Sequence, residues 1–86
     1  MELALTDKAK DDLKYWKKSG NTSVQIKISQ LINSILATPY EGAGRPEPLK
    51  YELSGTWSRR INKEHRIVYE IEENTIIILS LRGHYE

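Results

Sequence analysis

The sequence contains no cysteine, and its formal charges nearly cancel, to +1 at pH 7. The absence of cysteine excludes disulfide bonds, thiolate metal sites and a cysteine nucleophile, and it fits a reducing, cytoplasmic environment. The longest aliphatic run, Ile76–Leu79, is far shorter than the ~20 residues that a membrane-spanning helix needs. The N-terminus also lacks the basic and apolar regions of a secretory signal. The 86 residues therefore predict one small soluble domain, 1–86, with no membrane partner.

The near-neutral net charge conceals a locally basic segment. Between Gly42 and Arg66 the chain has six cations against three anions, a local balance of +3. The cations are Arg45, Lys50, Arg59, Arg60, Lys63 and Arg66. A fold that gathers such charges on one face binds a polyanion such as RNA, whereas a solvated surface of mixed charge is the alternative.

The first half of the chain predicts two helices. The first begins after Thr6, a typical N-cap residue, and ends at Gly20. The second follows the polar cluster 21–23 and ends before Pro39. Apolar residues recur at helical spacing in both, at Ala9, Leu13 and Trp16 and then at Val24, Ile28, Leu31, Ile32, Ile35 and Leu36. The two segments therefore predict a helical hairpin.

The second half predicts strands, because it is rich in β-branched and aromatic residues. The predicted strands are 57–62, 66–71 and 75–81, with a short opening strand at 2–5, a tight turn at 73–74 and a loop at 40–48. The order β-α-α-β-β-β indicates an α+β fold, with the helical hairpin on one face of a twisted antiparallel sheet. The other sheet face, carrying Arg66, would then be free for an extended substrate.

Three segments contain residues suited to chemistry. Glu47 lies between two prolines that restrict its backbone, which suits a preorganised general base but also fits a stiff turn with an exposed glutamate. Arg59 and Arg60 point to opposite strand faces, so at most one of them shares the face of Arg66. Histidine as a residue type titrates near neutrality, so His84 is a candidate for proton transfer, although a histidine near a terminus is more often inert. His65, beside the 62–64 turn, is interpreted as structural.

Together these segments carry a family resemblance. The matching elements run from Pro39 to Tyr85: TPYEG, GRPEPLK, LSGTWSRRI, HRIVY and the closing HY. In this order they closely resemble the YoeB/Txe toxins of type II toxin–antitoxin systems, within the RelE/ParE superfamily.

The resemblance implies a RelE-like, microbial-ribonuclease-like sheet and a metal-independent endoribonuclease without a cofactor. It implies cleavage of mRNA in the A site of the 30S ribosomal subunit and neutralisation by a cognate antitoxin of the Phd/YefM type, and it allows a homodimer. The catalytic roles carried over fall on Glu47, Arg66, His84 and Tyr85. The basic residues expected to contact RNA are Lys50, Arg59, Arg60 and Arg82.

These roles predict attack by the RNA 2′-hydroxyl, giving a 2′,3′-cyclic phosphate and a 5′-hydroxyl. Glu47 would act as base, Arg66 as phosphate clamp and His84 as acid, while Tyr85 would orient the phosphate. Two alternatives remain at this point. One is a non-catalytic nucleic-acid-binding module of the same fold, and the other is an interaction protein whose free sheet face receives an acidic segment such as that of an antitoxin.

Overall fold

The computed structural model describes residues 1–49 and 55–83. Within these ranges the chain forms two helices and five strands. They are β1 (Glu2–Leu5), α1 (Asp7–Ser19), α2 (Thr22–Ala37), β2 (Glu47–Pro48), β3 (Thr56–Arg60), β4 (Arg66–Glu72) and β5 (Thr75–Ser80). The predicted α+β class is confirmed, with both helices packed on one sheet.

Local hydrogen bonds account for the helix ends. The Thr6 side chain accepts a hydrogen bond from the Ala9 backbone at 3.2 Å, so it caps α1 as predicted. Gly20 ends α1 with a left-handed φ of 71°, which glycine adopts without steric cost. The Asn21 side chain then accepts from the Val24 backbone at 3.1 Å and caps α2. The sharp turn between the helices therefore follows from two neighbouring residues, Gly20 and Asn21.

The sheet has the strand order β1-β5-β4-β3-β2 and is mixed. The antiparallel pairing of β3, β4 and β5 follows the prediction, but β1 lies parallel to β5 at the edge. Parallel neighbours need a long crossover connection. The chain between β1 and β5, which includes both helices, supplies it. The predicted 40–48 loop is also shorter, because Glu47–Pro48 pairs with β3 as a second edge strand.

The core lies between the helices and one face of the sheet. Fully buried side chains come from both layers: Ala9, Leu31 and Ile35 from the helices, and Ile67, Tyr69, Ile76 and Ile78 from the strands. Burying each large aliphatic side chain contributes about 1.5–3 kcal/mol. Because side chains alternate along a strand, the same pairing directs Ser58, Arg60 and Arg66 to the opposite face. No helix in the described ranges combines the length and apolar character needed to cross a membrane.

Candidate active site

Glu47 and Arg66 meet on the sheet face opposite the helices. Glu47 is the cross-strand neighbour of Ser58 on β3, and Arg66 begins β4 opposite Arg60. Nη1 of Arg66 lies 3.4 Å from Oε2 of Glu47 and donates a hydrogen bond to Oγ of Ser58 at 3.2 Å. The Glu47 side chain is 61% exposed and that of Arg66 19% exposed. The carboxylate is therefore accessible to a substrate, whereas the guanidinium is largely covered and is held by Glu47 and Ser58.

The loop between α2 and β2 brings Glu47 to this position. Gly42 and Gly44 both have positive φ, and a Cβ at Gly44 would lie 2.7 Å from Leu31 of α2. Glycine is therefore required for the close passage of this loop over the helix. The Gly44 carbonyl also accepts a hydrogen bond from the Arg60 backbone at 2.7 Å, which joins the loop to β3 just before β2 begins.

Arg59 is fully buried and fastens the same loop from inside. Its guanidinium donates to the carbonyl oxygens of Thr38, Glu41 and Ala43 at 2.6, 2.9 and 3.1 Å. It also donates to the hydroxyls of Ser34 and Tyr69 at 2.7 and 3.0 Å. A guanidinium enclosed by protein acceptors cannot approach a phosphate. The structure therefore contradicts the expected RNA contact of Arg59 and gives this arginine a structural role.

Tyr69 is the second anchor of the loop. Its hydroxyl accepts from Arg59 and donates to the Pro39 carbonyl at 2.7 Å. Burial raises the pKa of Tyr69 above its usual value, and the adjacent Arg59 guanidinium opposes that rise. The phenol therefore stays protonated at neutral pH and keeps donating to the loop.

The other predicted cations of the described region remain at the surface. Arg60 is exposed. The register of β3 and β4 puts it directly opposite Arg66, on the same face of the sheet. Arg82 is exposed, and its guanidinium carbon lies 3.7 Å from the ring centroid of Tyr15 on α1. Arg60 thus shares a surface with the Glu47–Arg66 pair, whereas Arg82 is supported by the first helix.

Two further residues, Ser58 and His65, support the site. Ser58 is fully buried beneath the Arg66 guanidinium. Its spacing of two residues from Arg60, which puts both on one face of β3, is the only indication of this position in the sequence. His65 accepts a hydrogen bond at Nδ1 from the Gly83 backbone at 2.9 Å, and the Arg66 backbone donates to the Gly83 carbonyl at 2.7 Å. His65 therefore has a structural contact, as interpreted, but its partner is the segment that leads to the predicted acid.

Three predicted site residues, Lys50, His84 and Tyr85, lie outside the described residues. Across 1–49 and 55–83 no cluster of three or more histidine, cysteine or acidic residues has the arrangement of a metal site. The groups that the structure does bring together are a carboxylate, a guanidinium and a serine hydroxyl. Such a set can accept a proton and bind an anionic oxygen.

Comparison with known proteins identifies the relatives of this chain. A family model described as a YoeB-like toxin of bacterial type II toxin–antitoxin systems matches residues 5–85. Toxin YoeB of Escherichia coli strain K12 is 45% identical over 85 residues, covering 99% of this chain and 100% of the relative.

Solved structures agree with this match. The YoeB–YefM complex from Staphylococcus aureus aligns with a TM-score of 0.88 and 41% identity, covering 99% of this chain and 98% of that one. The YoeB dimer from the same organism aligns at 0.89 and 40% identity, with the same coverage of both chains. The chain belongs to the YoeB-like toxins of bacterial type II toxin–antitoxin systems.

Proposed function

We propose that this toxin is a metal-independent endoribonuclease, an mRNA interferase that cuts mRNA in the ribosomal A site. Attack by the RNA 2′-hydroxyl would give a 2′,3′-cyclic phosphate and a 5′-hydroxyl. The observation that carries the proposal is the Glu47–Arg66 pair, 3.4 Å apart on the sheet face opposite the helices. RNA supplies its own nucleophile, so the protein needs only a base, an anion-binding group and an acid.

Glu47 is assigned as the general base. Its carboxylate is exposed, so a 2′-hydroxyl can approach it, and its backbone is fixed by pairing with β3. A positioned base of this kind contributes about 10²–10⁴-fold to the rate.

Arg66 is assigned as the phosphate clamp. The contacts of the Arg66 side chain with Glu47 and Ser58 both use Nη1. The planar guanidinium also carries Nε–H and Nη2–H donors, which suit bidentate binding of phosphate. In this arrangement the guanidinium stabilises the charge that grows on the phosphorane. His84 would protonate the leaving 5′-oxygen, and Tyr85 would orient the phosphate; both roles rest on the family resemblance.

The partners proposed for this toxin are mRNA, the ribosome and an antitoxin of the Phd/YefM type. The Staphylococcus aureus relative occurs in a complex with YefM and as a dimer, which supports an equivalent antitoxin complex and a homodimer here. Arg60 and Arg82, with Lys50, are proposed to contact RNA phosphates. Because the proposed substrate is mRNA bound to the ribosome, we propose that the toxin acts in the cytoplasm. Ribosome dependence follows if the ribosome, and not this small sheet, aligns the 2′-hydroxyl with the scissile bond.

The proposal is tested by expressing the wild type, Glu47→Ala and His84→Ala and by mapping mRNA ends by primer extension. We expect wild-type cuts within translated regions and their loss in both variants, because each removes a proton-transfer group. Glu72→Ala is the matched control, since this exposed carboxylate lies at the far end of β4 from Arg66. It should cleave like the wild type. Purified ribosomes and naked RNA, tested separately, report the ribosome dependence.

The outcomes separate the proposal from its alternatives. Equal cleavage by all four proteins would remove the catalytic assignment of Glu47 and His84. Absence of cleavage by the wild type, with RNA or antitoxin binding intact, would favour a non-catalytic module of the same fold. Retained RNA affinity in Glu47→Ala and His84→Ala is required for the nuclease interpretation.

A further inference from the structure

The last described residues are held by a two-sided backbone contact. The Gly83 N–H donates to Nδ1 of His65 at 2.9 Å, and the Gly83 carbonyl accepts from the Arg66 N–H at 2.7 Å. Gly83 has a φ of 88°, a conformation that favours glycine. Consecutive residues, His65 and Arg66, therefore fix both polar groups of one glycine, and Arg66 is also the proposed phosphate clamp.

The His65 ring is itself fixed by its surroundings. It packs edge-on against Trp16 of α1, with ring centroids 4.9 Å apart and planes at 83°. Nε1 of Trp16 donates to the Leu81 carbonyl at 2.8 Å, so the indole supports both the imidazole and the end of the chain. The His65 backbone N–H donates to Oδ1 of Asn62 at 2.9 Å. The acceptor that meets Gly83 is consequently preorganised.

The hydrogen-bond pattern determines the form of this imidazole. Because the Gly83 N–H is a donor, Nδ1 must carry the lone pair and the proton must lie on Nε2. Nε2 is 3.9 Å from Oε2 of Glu64, whose side chain is 85% exposed. His65 therefore uses its acceptor nitrogen to hold the main chain at Gly83.

We propose that His65 is a positioning residue, which fixes the backbone of Gly83 directly before His84 and Tyr85 in the sequence. This inference rests on the proposed function, in which His84 and Tyr85 take part in cleavage. Consecutive Cα atoms are about 3.8 Å apart, so a fixed Gly83 limits the positions that the Cα atom of the next residue can take. A proton-transfer role for His65 itself is the competing assignment.

Two substitutions at His65 separate these roles. His65→Phe keeps a ring against Trp16 but removes the acceptor, whereas His65→Asn keeps an acceptor oxygen but has no group that titrates near neutrality. We expect His65→Phe to lower the single-turnover cleavage rate by about 10- to 100-fold at saturating substrate, as misplaced catalytic groups do. Substrate affinity should stay close to that of the wild type. His65→Asn should restore most of the rate.

A second measurement follows the contact without depending on cleavage. Amide hydrogen exchange of Gly83, measured by NMR on the full chain, should be faster in His65→Phe and slow again in His65→Asn. The ¹⁵N shifts of the wild-type imidazole should show the Nε2–H tautomer. Lys63→Ala, an exposed change in the same turn, is the control and should move neither the exchange nor the cleavage rate.

Each outcome decides the inference. Wild-type Gly83 exchange in His65→Phe would overturn it, and so would a wild-type cleavage rate in that variant. A His65→Asn protein with protected Gly83 but little activity would assign proton transfer to His65 and also overturn it. A wild type that cuts no RNA would refute the proposed function and, with it, the catalytic consequence of positioning. The exchange data would then report on the Gly83 contact alone.

Discussion

Replacing Arg66 with lysine is expected to lower the single-turnover rate of RNA cleavage by about 10²- to 10³-fold, the usual cost of losing one preorganised donor to a developing charge. Lysine keeps the positive charge but presents a point cation in place of the planar fork. It also loses the geometry that joins Arg66 to Glu47 at 3.4 Å and to Ser58 at 3.2 Å. The measurement is a single-turnover assay at saturating substrate.

Arg60 provides the contrast, because it is exposed directly across the ladder from Arg66. Arg60→Ala should weaken RNA binding. It should also reduce the slope of log Kd against log salt concentration by about 0.7, the value for one phosphate contact on single-stranded RNA. Its loss should not reproduce the rate defect of Arg66→Lys at saturation. A wild-type rate in Arg66→Lys would remove the clamp assignment.

The second large effect is on stability. Arg59→Leu should lower the free energy of unfolding by about 2–4 kcal/mol, because it leaves several enclosed acceptors without their donor. The guanidinium donates to three carbonyls of the 38–43 loop and to the hydroxyls of Ser34 and Tyr69. Urea titration monitored by tryptophan fluorescence measures the change. For a domain of this size, each kcal/mol of unfolding free energy that is lost lowers Tm by about 4–8 °C.

Arg60→Leu is the matched control for stability, since it makes the same change one residue along on an exposed face of β3. It should change the free energy of unfolding by less than about 0.5 kcal/mol. Arg59→Leu should also reduce cleavage, because the loop that it releases leads directly to Glu47. A variant as stable as the wild type would show that Arg59 does not fasten the loop.

How far the sequence predicts this fold depends on the range of the interactions. The helix ends at Thr6, Gly20 and Asn21 were predictable, because each cap is made within a few residues. Alternation along β4 puts Ile67 and Tyr69 on the same face, and both lie in the core. The parallel pairing of β1 with β5 was not predictable, because it joins strands about 70 residues apart and no local pattern encodes such a partner.

The site shows the same division. Alternation placed Arg59 and Arg60 on opposite faces, but it could not tell which face meets the helices, and arginine is rarely fully buried. The Glu47–Arg66 contact spans 19 residues and was expected only from the family resemblance. The partner of His65 is 18 residues away, so its role became visible only with the tertiary contact to Gly83. Local chemistry identified the residue types, and the strand register determined which of them meet.

In the proposed mechanism, Glu47 activates a 2′-hydroxyl beside a phosphate that Arg66 binds. The most direct test is mass spectrometry of the RNA ends that the purified toxin produces on translating ribosomes. The upstream fragment should carry a 2′,3′-cyclic phosphate and the downstream fragment a 5′-hydroxyl. A 3′-hydroxyl paired with a 5′-phosphate would contradict this mechanism, because water and not the ribose would then be the nucleophile.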